Sequence, residues 1–147
     1  VVSPIAGQVI SSKIINTYAT GSVDAVYFGS GFINFVRQNS EVKDVYSTVD
    51  VTSNYSASGL FNRVMNTNNV ARAYAYNNLN TANAYGLIEV VSSSNINDMY
   101  FNSDIFSGSD ISGTGLTTSE MQDENNFNNW DFDEVWFIDE DQNNGFP

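Results

Sequence analysis

The sequence predicts an all-β chain wound as a parallel β-helix, a solenoid of about four coils of 27–28 residues with a C-terminal helix-plus-strand cap. Three observations lead there. Tyr18, Tyr46, Tyr74 and Tyr100 recur at spacings of 28, 28 and 26, each four residues after Ile14, Val42, Val70 or Ile96 and five before Val23, Val51, Leu79 or Ile105. A second block, Gly31-Phe32-Ile33, returns as Gly59-Leu60-Phe61 and Gly86-Leu87-Ile88, followed in phase by Val36, Val64 and Val91. Fixed periods of this size mark solenoids, whose units bury their apolar positions against their neighbours. Finally, apolar residues alternate over short stretches broken by Gly, Asn and Ser, with Tyr and Val where helix formers would be needed, so each unit is stranded.

The first unit opens at Pro4-Ile5-Ala6-Gly7 with Val9, in the slot of the glycine block. In the tyrosine strand, Thr17, Val45, Ala73 and Met99 share one parity with Ala19, Ser47, Ala75 and Phe101, and are small or apolar. The opposite parity carries Asn16, Asp44, Arg72 and Asp98 beside the tyrosines. A charged column cannot face a dry core, so a regular strand places the tyrosines outside, and a bend between Ile14 and Tyr18 would turn them inward. Asp44, Arg72 and Asp98 then read as a surface ion ladder of small energetic value. After Ile105 the repeat stops, and Gly108, Gly113 and Gly115 mark a loop. Thr117-Thr118-Ser119-Glu120 opens a short helix with a hydroxyl cap. Trp130 to Ile138 alternates apolar with acidic and then runs apolar, which predicts a strand pair covering the last coil. The coils thus occupy residues 1–110, and residues 111–147 form a cap of the same domain.

The 147 residues suffice for one domain with a sizeable core. Charged residues are only 15%, and 21 asparagines and 18 serines supply polarity suited to frequent bends. The net charge of −12 is lopsided, since all twelve acids from Asp98 onward lie in a segment without lysine or arginine. Nucleic acid and anionic membranes are therefore excluded as partners, because phosphate binding needs clustered positive charge. Without cysteine there is no disulfide or thiolate metal site. No apolar run is long enough for membrane insertion, and Val1-Val2-Ser3-Pro4 lacks the features of a signal peptide, so an exported chain would be a mature or internal piece.

Gly115-Leu116-Thr117-Thr118-Ser119-Glu120-Met121, followed by Trp130-Asp131-Phe132-Asp133-Glu134-Val135-Trp136, resembles the terminal part of bacterial surface proteins carrying GLUG repeats, relatives of filamentous haemagglutinin-like adhesins. Asn16-Thr17-Tyr18-Ala19-Thr20-Gly21-Ser22-Val23 is similar to the strand half of that repeat. The resemblance implies a right-handed solenoid and an extracellular or cell-surface location, and its motif carries no catalytic residues. Where the motif ends in a second glycine, this chain has Asn34, Asn62 and Glu89, and Gly7 alone keeps it, so three bends must tolerate a Cβ.

The functional reading is an extracellular structural or adhesive module, not an enzyme. Lys13, Arg37, Lys43, Arg63 and Arg72 fall in different columns, which makes a catalytic groove hard to assemble. No cofactor is implied. Asp131 and Asp133, and Asp139-Glu140-Asp141, are the densest carboxylates and the candidates for Ca2+, but they lack the spacing of calcium loops and read as a solvated acidic cap. Asp50 and Asp104 share a column with Ser22 and Asn78, which disfavours a metal ladder. Tyr18, Tyr46, Tyr74 and Tyr100 are candidate glycan-binding residues if their faces are exposed, and otherwise a structural stack. Ile5 and Val9 mark an assembly edge, because three residues before the first coil cannot cover a stack end. Upstream domains of the same protein, or head-to-tail self-association into a fibre, would cover it.

Overall fold

The first three sequence units each lay down strands on three faces, and these strands pair in parallel with their counterparts one period away. The structure is a computed structural model describing residues 1–67, 69–108, 110 and 112–147. The first coil contains β1 (Ala6–Ile10), β2 (Lys13–Ala25) and β3 (Phe28–Ser30). The second contains β4 (Ile33–Arg37), β5 (Glu41–Ser53) and β6 (Ser56–Ser58). The third contains β7 (Phe61–Met65), β8 (Asn69–Ala75), β9 (Leu79–Asn80) and β10 (Asn83–Tyr85). The chain then adds β11 (Ile88–Ser92), β12 (Ile96–Asn102) and β13 (Thr114–Leu116). The sheets run β1-β4-β7-β11, β3-β6-β10 and β2-β5-β8-β12-β13, with β9 on β5.

This is a β-solenoid of about three turns, not four. The fourth coil stops after two faces because Asn102 breaks it. Its side-chain oxygen accepts the N–H groups of Asp104 and Ile105, and its carbonyl accepts that of Phe106. A local turn thereby replaces the continuation that β2 and β5 make, and Ile105 leaves the column of Val23, Val51 and Leu79. The other columns are in register: Tyr18, Tyr46, Tyr74 and Tyr100 pair in succession, as do Ile14, Val42, Val70 and Ile96.

Residues of both the Ile14 column and the Thr17 column face the interior, three positions apart, which strict alternation forbids. Asn16, Asp44, Arg72 and Asp98 resolve the conflict with left-handed φ values of 51, 55, 49 and 53°. Asn and Asp tolerate this region better than most residues. The bend therefore exists, but it leaves the tyrosines outside. Val42, Val45, Val70 and Ala73 belong to the coil core, whereas Tyr74 and Tyr100 belong to a second apolar cluster.

The glycine column answers a steric demand. A Cβ on Gly59 would strike the carbonyl oxygen of Gly86, and one on Gly31 would strike that of Gly59. Asn34 and Asn62 sit at the positions of the missing second glycine, buried and within strands β4 and β7. A Cβ fits there, and Asn62 Nδ2 donates to the Gly29 carbonyl at 3.2 Å and to Ser58 Oγ at 3.1 Å.

The expected start of the cap, residue 111, lies outside the described residues. β13 extends the tyrosine sheet beyond β12, and the Asp110 carboxylate accepts Leu87 N–H at 2.6 Å. The expected helix is α1 (Thr118–Met121), with Thr117 and Glu120 forming a capping box. The expected strand pair over Trp130 to Ile138 is absent. Asp131 Oδ1 accepts the N–H groups of Asp133 and Glu134, and its carbonyl accepts those of Val135 and Trp136. These bonds close a turn, and the segment becomes a strap that runs back along the outside of the tyrosine sheet.

Two outcomes follow from the stack. Gly59→Ala is expected to destabilise by about 1–3 kcal/mol or more, because backbone must move to admit the methyl group, and urea unfolding measures it. Between Lys13 (2.8 Å) and Lys43 (2.9 Å), hydrogen bonds hold the Glu41 carboxyl at a pKa of about 2, below its ordinary 4.5. Because the folded pKa is depressed, the contribution is whole above pH 4.5 and is lost as pH falls through about 2. Glu41→Gln should flatten that part of the stability–pH curve.

Candidate functional site

The outer face of the tyrosine sheet is the richest chemical surface of the molecule. Tyr18 stacks on Tyr46 at 5.0 Å between ring centroids, and Tyr46 on Tyr74 at 4.9 Å, both with planes 6° apart. Parallel pairing at strand spacing brings like residues of one column to this separation, whereas Tyr100, paired with Tyr74 in the same register, packs its ring on Phe127 and Trp130. The strap roofs the ladder progressively. Tyr18 is 59% exposed, Tyr46 is half-buried, and Tyr74 and Tyr100 are 0% and 4% exposed beneath Trp130, Trp136 and Phe127.

Polar atoms fix the roof in place. Trp130 Nε1 donates to the Asp98 carbonyl at 3.1 Å, and Trp136 Nε1 donates to Asp44 Oδ1 at 3.3 Å. Tyr74 donates its hydroxyl to the Pro147 carbonyl at 2.6 Å and accepts from Asn143 Nδ2 at 2.6 Å. Burial pushes the Tyr74 phenol well above its usual range, and burial also raises Tyr46 and Tyr100. All three phenols are therefore neutral, and those of Tyr74 and Tyr100 are hydrogen bonded.

The expected surface ion ladder needs correction at its centre. Arg72 Nε and Nη2 grip both oxygens of Asp44 at 2.6 and 2.7 Å, and the Asp44 side chain retains only 6% of its exposure because Trp136 lies over it. The Asp44 hydrogen bond is the largest cause of the raised Arg72 pKa. A sheltered bidentate pair that also anchors an indole is a structural element of the roof.

Tyr74 and Tyr100 are thereby removed as glycan contacts, since their faces are covered by rings. Tyr18 and Tyr46 border a cleft of about 530 Å3, closed on the other side by Val135, Trp136 and Phe137. Asn16, Glu134 and Asn143 add polar groups to its lining. Phe137 and Glu134 were not legible as site residues. The signal was an apolar run, Val135 to Ile138, longer than one buried face needs.

The remaining candidates are placed as follows. β1 and β2 are edge strands, with Ile5 39% exposed, but Val9 is 6% exposed and points into the core, so it is no surface contact. Asp131 and Asp139 spend an oxygen each on backbone N–H groups of their own turns. Among the described residues no group of three His, Cys, Asp or Glu side chains is arranged to hold a metal ion. Asp50 bonds Asn78, whereas Asp104 leaves the column to accept Thr118 N–H at 2.8 Å.

Comparison with family models, curated proteins and solved structures finds no match.

The ladder predicts a gradient of energetic importance. Tyr74→Ala is expected to cost about 3–5 kcal/mol, as for other buried aromatics, and Tyr18→Ala about 1 kcal/mol or less. Thermal unfolding of the two variants checks the order.

Proposed function

We propose that this chain is an extracellular structural and adhesive module of a bacterial surface protein, in which the solenoid is a non-catalytic scaffold. The observation that carries the reading is the use made of the repeat columns. Lys13 and Lys43 are engaged with Glu41, Arg72 with Asp44, and the tyrosines with one another and with the strap. Repetition in this chain makes a stiff stack and a roofed face.

The first coil adds a specific reason to favour assembly as part of that role. β2 spans 13 residues at the edge of its sheet, and the flanking Ile5, Ile10 and Ile15 are 39%, 42% and 38% exposed. A long edge that carries and adjoins exposed apolar side chains is a template for another strand. The occupant that fits is a further solenoid coil, with a tyrosine to stack on Tyr18. At the opposite end β13 already lies on β12, so that edge offers less for head-to-tail growth.

Light scattering of the chain over a wide concentration range tests edge pairing. Species larger than the 16.2 kDa monomer are expected. Ile5→Glu should restore the monomer without lowering the melting temperature. A monomer at every concentration would remove self-association from the reading.

A further inference from the structure

The strap buries nearly all of its aromatic surface, and the exception lies at the cleft. Phe127, Trp130, Trp136 and Phe146 are each 8% exposed or less and Phe132 is partly buried, but Phe137 is 60% exposed. In the ladder, likewise, Tyr18 is 59% exposed, and both residues line the same cleft of about 530 Å3. That volume lies within the range of small-ligand pockets, which pair apolar walls with a few placed polar groups.

The polar groups define the ligand class. Asn16 and Gln142 offer amides that can both donate and accept, Asn143 offers its Oδ1 because its Nδ2 is bonded to Tyr74 and Pro147, and Glu134 offers a carboxylate that only accepts. No lysine or arginine is among the lining residues, so an anionic ligand would meet an acidic wall without compensation. Asp44 is already neutralised by Arg72 and bonded to Trp136, which leaves Glu134 as the one acidic side chain of the lining without an ion pair among the described residues. One exposed carboxylate among three amides suits a hydroxyl-rich neutral ligand better than a cation. The outer face of Tyr18 meets no other ring among the described residues.

The geometry points to a binding site for a neutral pyranose of an oligosaccharide in the cleft between Tyr18 and Phe137. The apolar C–H face of the sugar lies on an aromatic ring, and its hydroxyls bond Asn16, Asn143 and Glu134. This deepens the adhesive part of the reading above by naming its ligand, and it does not depend on edge pairing.

Titration calorimetry, with Trp136 fluorescence as a second readout, tests the site on the whole chain. The probes are neutral oligosaccharides of glucose, mannose, galactose and N-acetylglucosamine, with polygalacturonate and hexalysine as charged controls. At least one neutral oligosaccharide is expected to bind at up to millimolar concentration and neither charged control to compete. Tyr18→Ala and Phe137→Ala should each weaken binding about tenfold or more. Tyr55→Ala, at a tyrosine that is 54% exposed and outside the cleft, should leave it unchanged. Phe137→Ala guards against misfolding of the Tyr18 variant, because its ring is exposed on the strap. No binding by any neutral probe, binding indifferent to both cleft substitutions, or a preference for hexalysine would each overturn the site. Scattering on the same samples reads self-association separately, so failure of the site and failure of the assembly reading are told apart.

Discussion

Coil-on-coil stacking at strand spacing is the constraint from which the rest of this structure follows. At about 5 Å, each side chain meets its own counterpart one period away, so every column must consist of residues that tolerate themselves as neighbours. Tyrosines satisfy this by stacking, at 5.0 and 4.9 Å. Glycines satisfy it where the next coil brings a carbonyl oxygen into the space of a Cβ. Charges satisfy it by alternation, as Lys13 across from Glu41 and Asp44 across from Arg72 do.

The same stacking makes the tyrosine sheet apolar on both faces. Its inner face is filled by the valines and alanines of the core, and its outer face is a strip of aromatic rings. Leaving such a strip in water would forgo about 1.5–3 kcal/mol for each large side chain that could be buried. The strap answers that need by laying Phe127, Trp130 and Trp136 over the ladder, with indole N–H groups directed to oxygens of the left-handed column. Roofing ends near Tyr18 and Phe137, and the cleft is what the incomplete roof leaves open. The structural and binding roles of one tyrosine column are thus separated by position along the stack.

Strap and solenoid also divide the charge. Positive side chains lie only in the coils, and the strap is acidic throughout. Arg72 joins the two regions, because it neutralises the carboxylate to which Trp136 bonds, and the charges of Asp98 and Asp131 also favour its cation. An aromatic cap would slide over stacked rings without directional contacts. Hydrogen bonds from two indoles and one phenol give it a register.

The sequence by itself determined the period and the parallel register, because a column repeated every 27 or 28 residues can be satisfied only by like meeting like, but it left the facing of the tyrosines open between a regular strand and a bent one. It also determined the Thr117–Glu120 helix start, whose signals are local. Three things were decided only by tertiary structure. The left-handed residue in each tyrosine strand is invisible to an alternation argument, since it is needed to bring two inward columns three residues apart into one core. The early end of the fourth coil depends on one turn at Asn102, which outcompetes a column that Ile105 would otherwise continue. The path of the strap depends on what surface lay bare. An aromatic run such as Trp130 to Ile138 can pair as a strand or lie as a cover, and here turn bonds at Asp131 and the uncovered ladder made it a cover, because ring stacking and indole hydrogen bonds were available on that face.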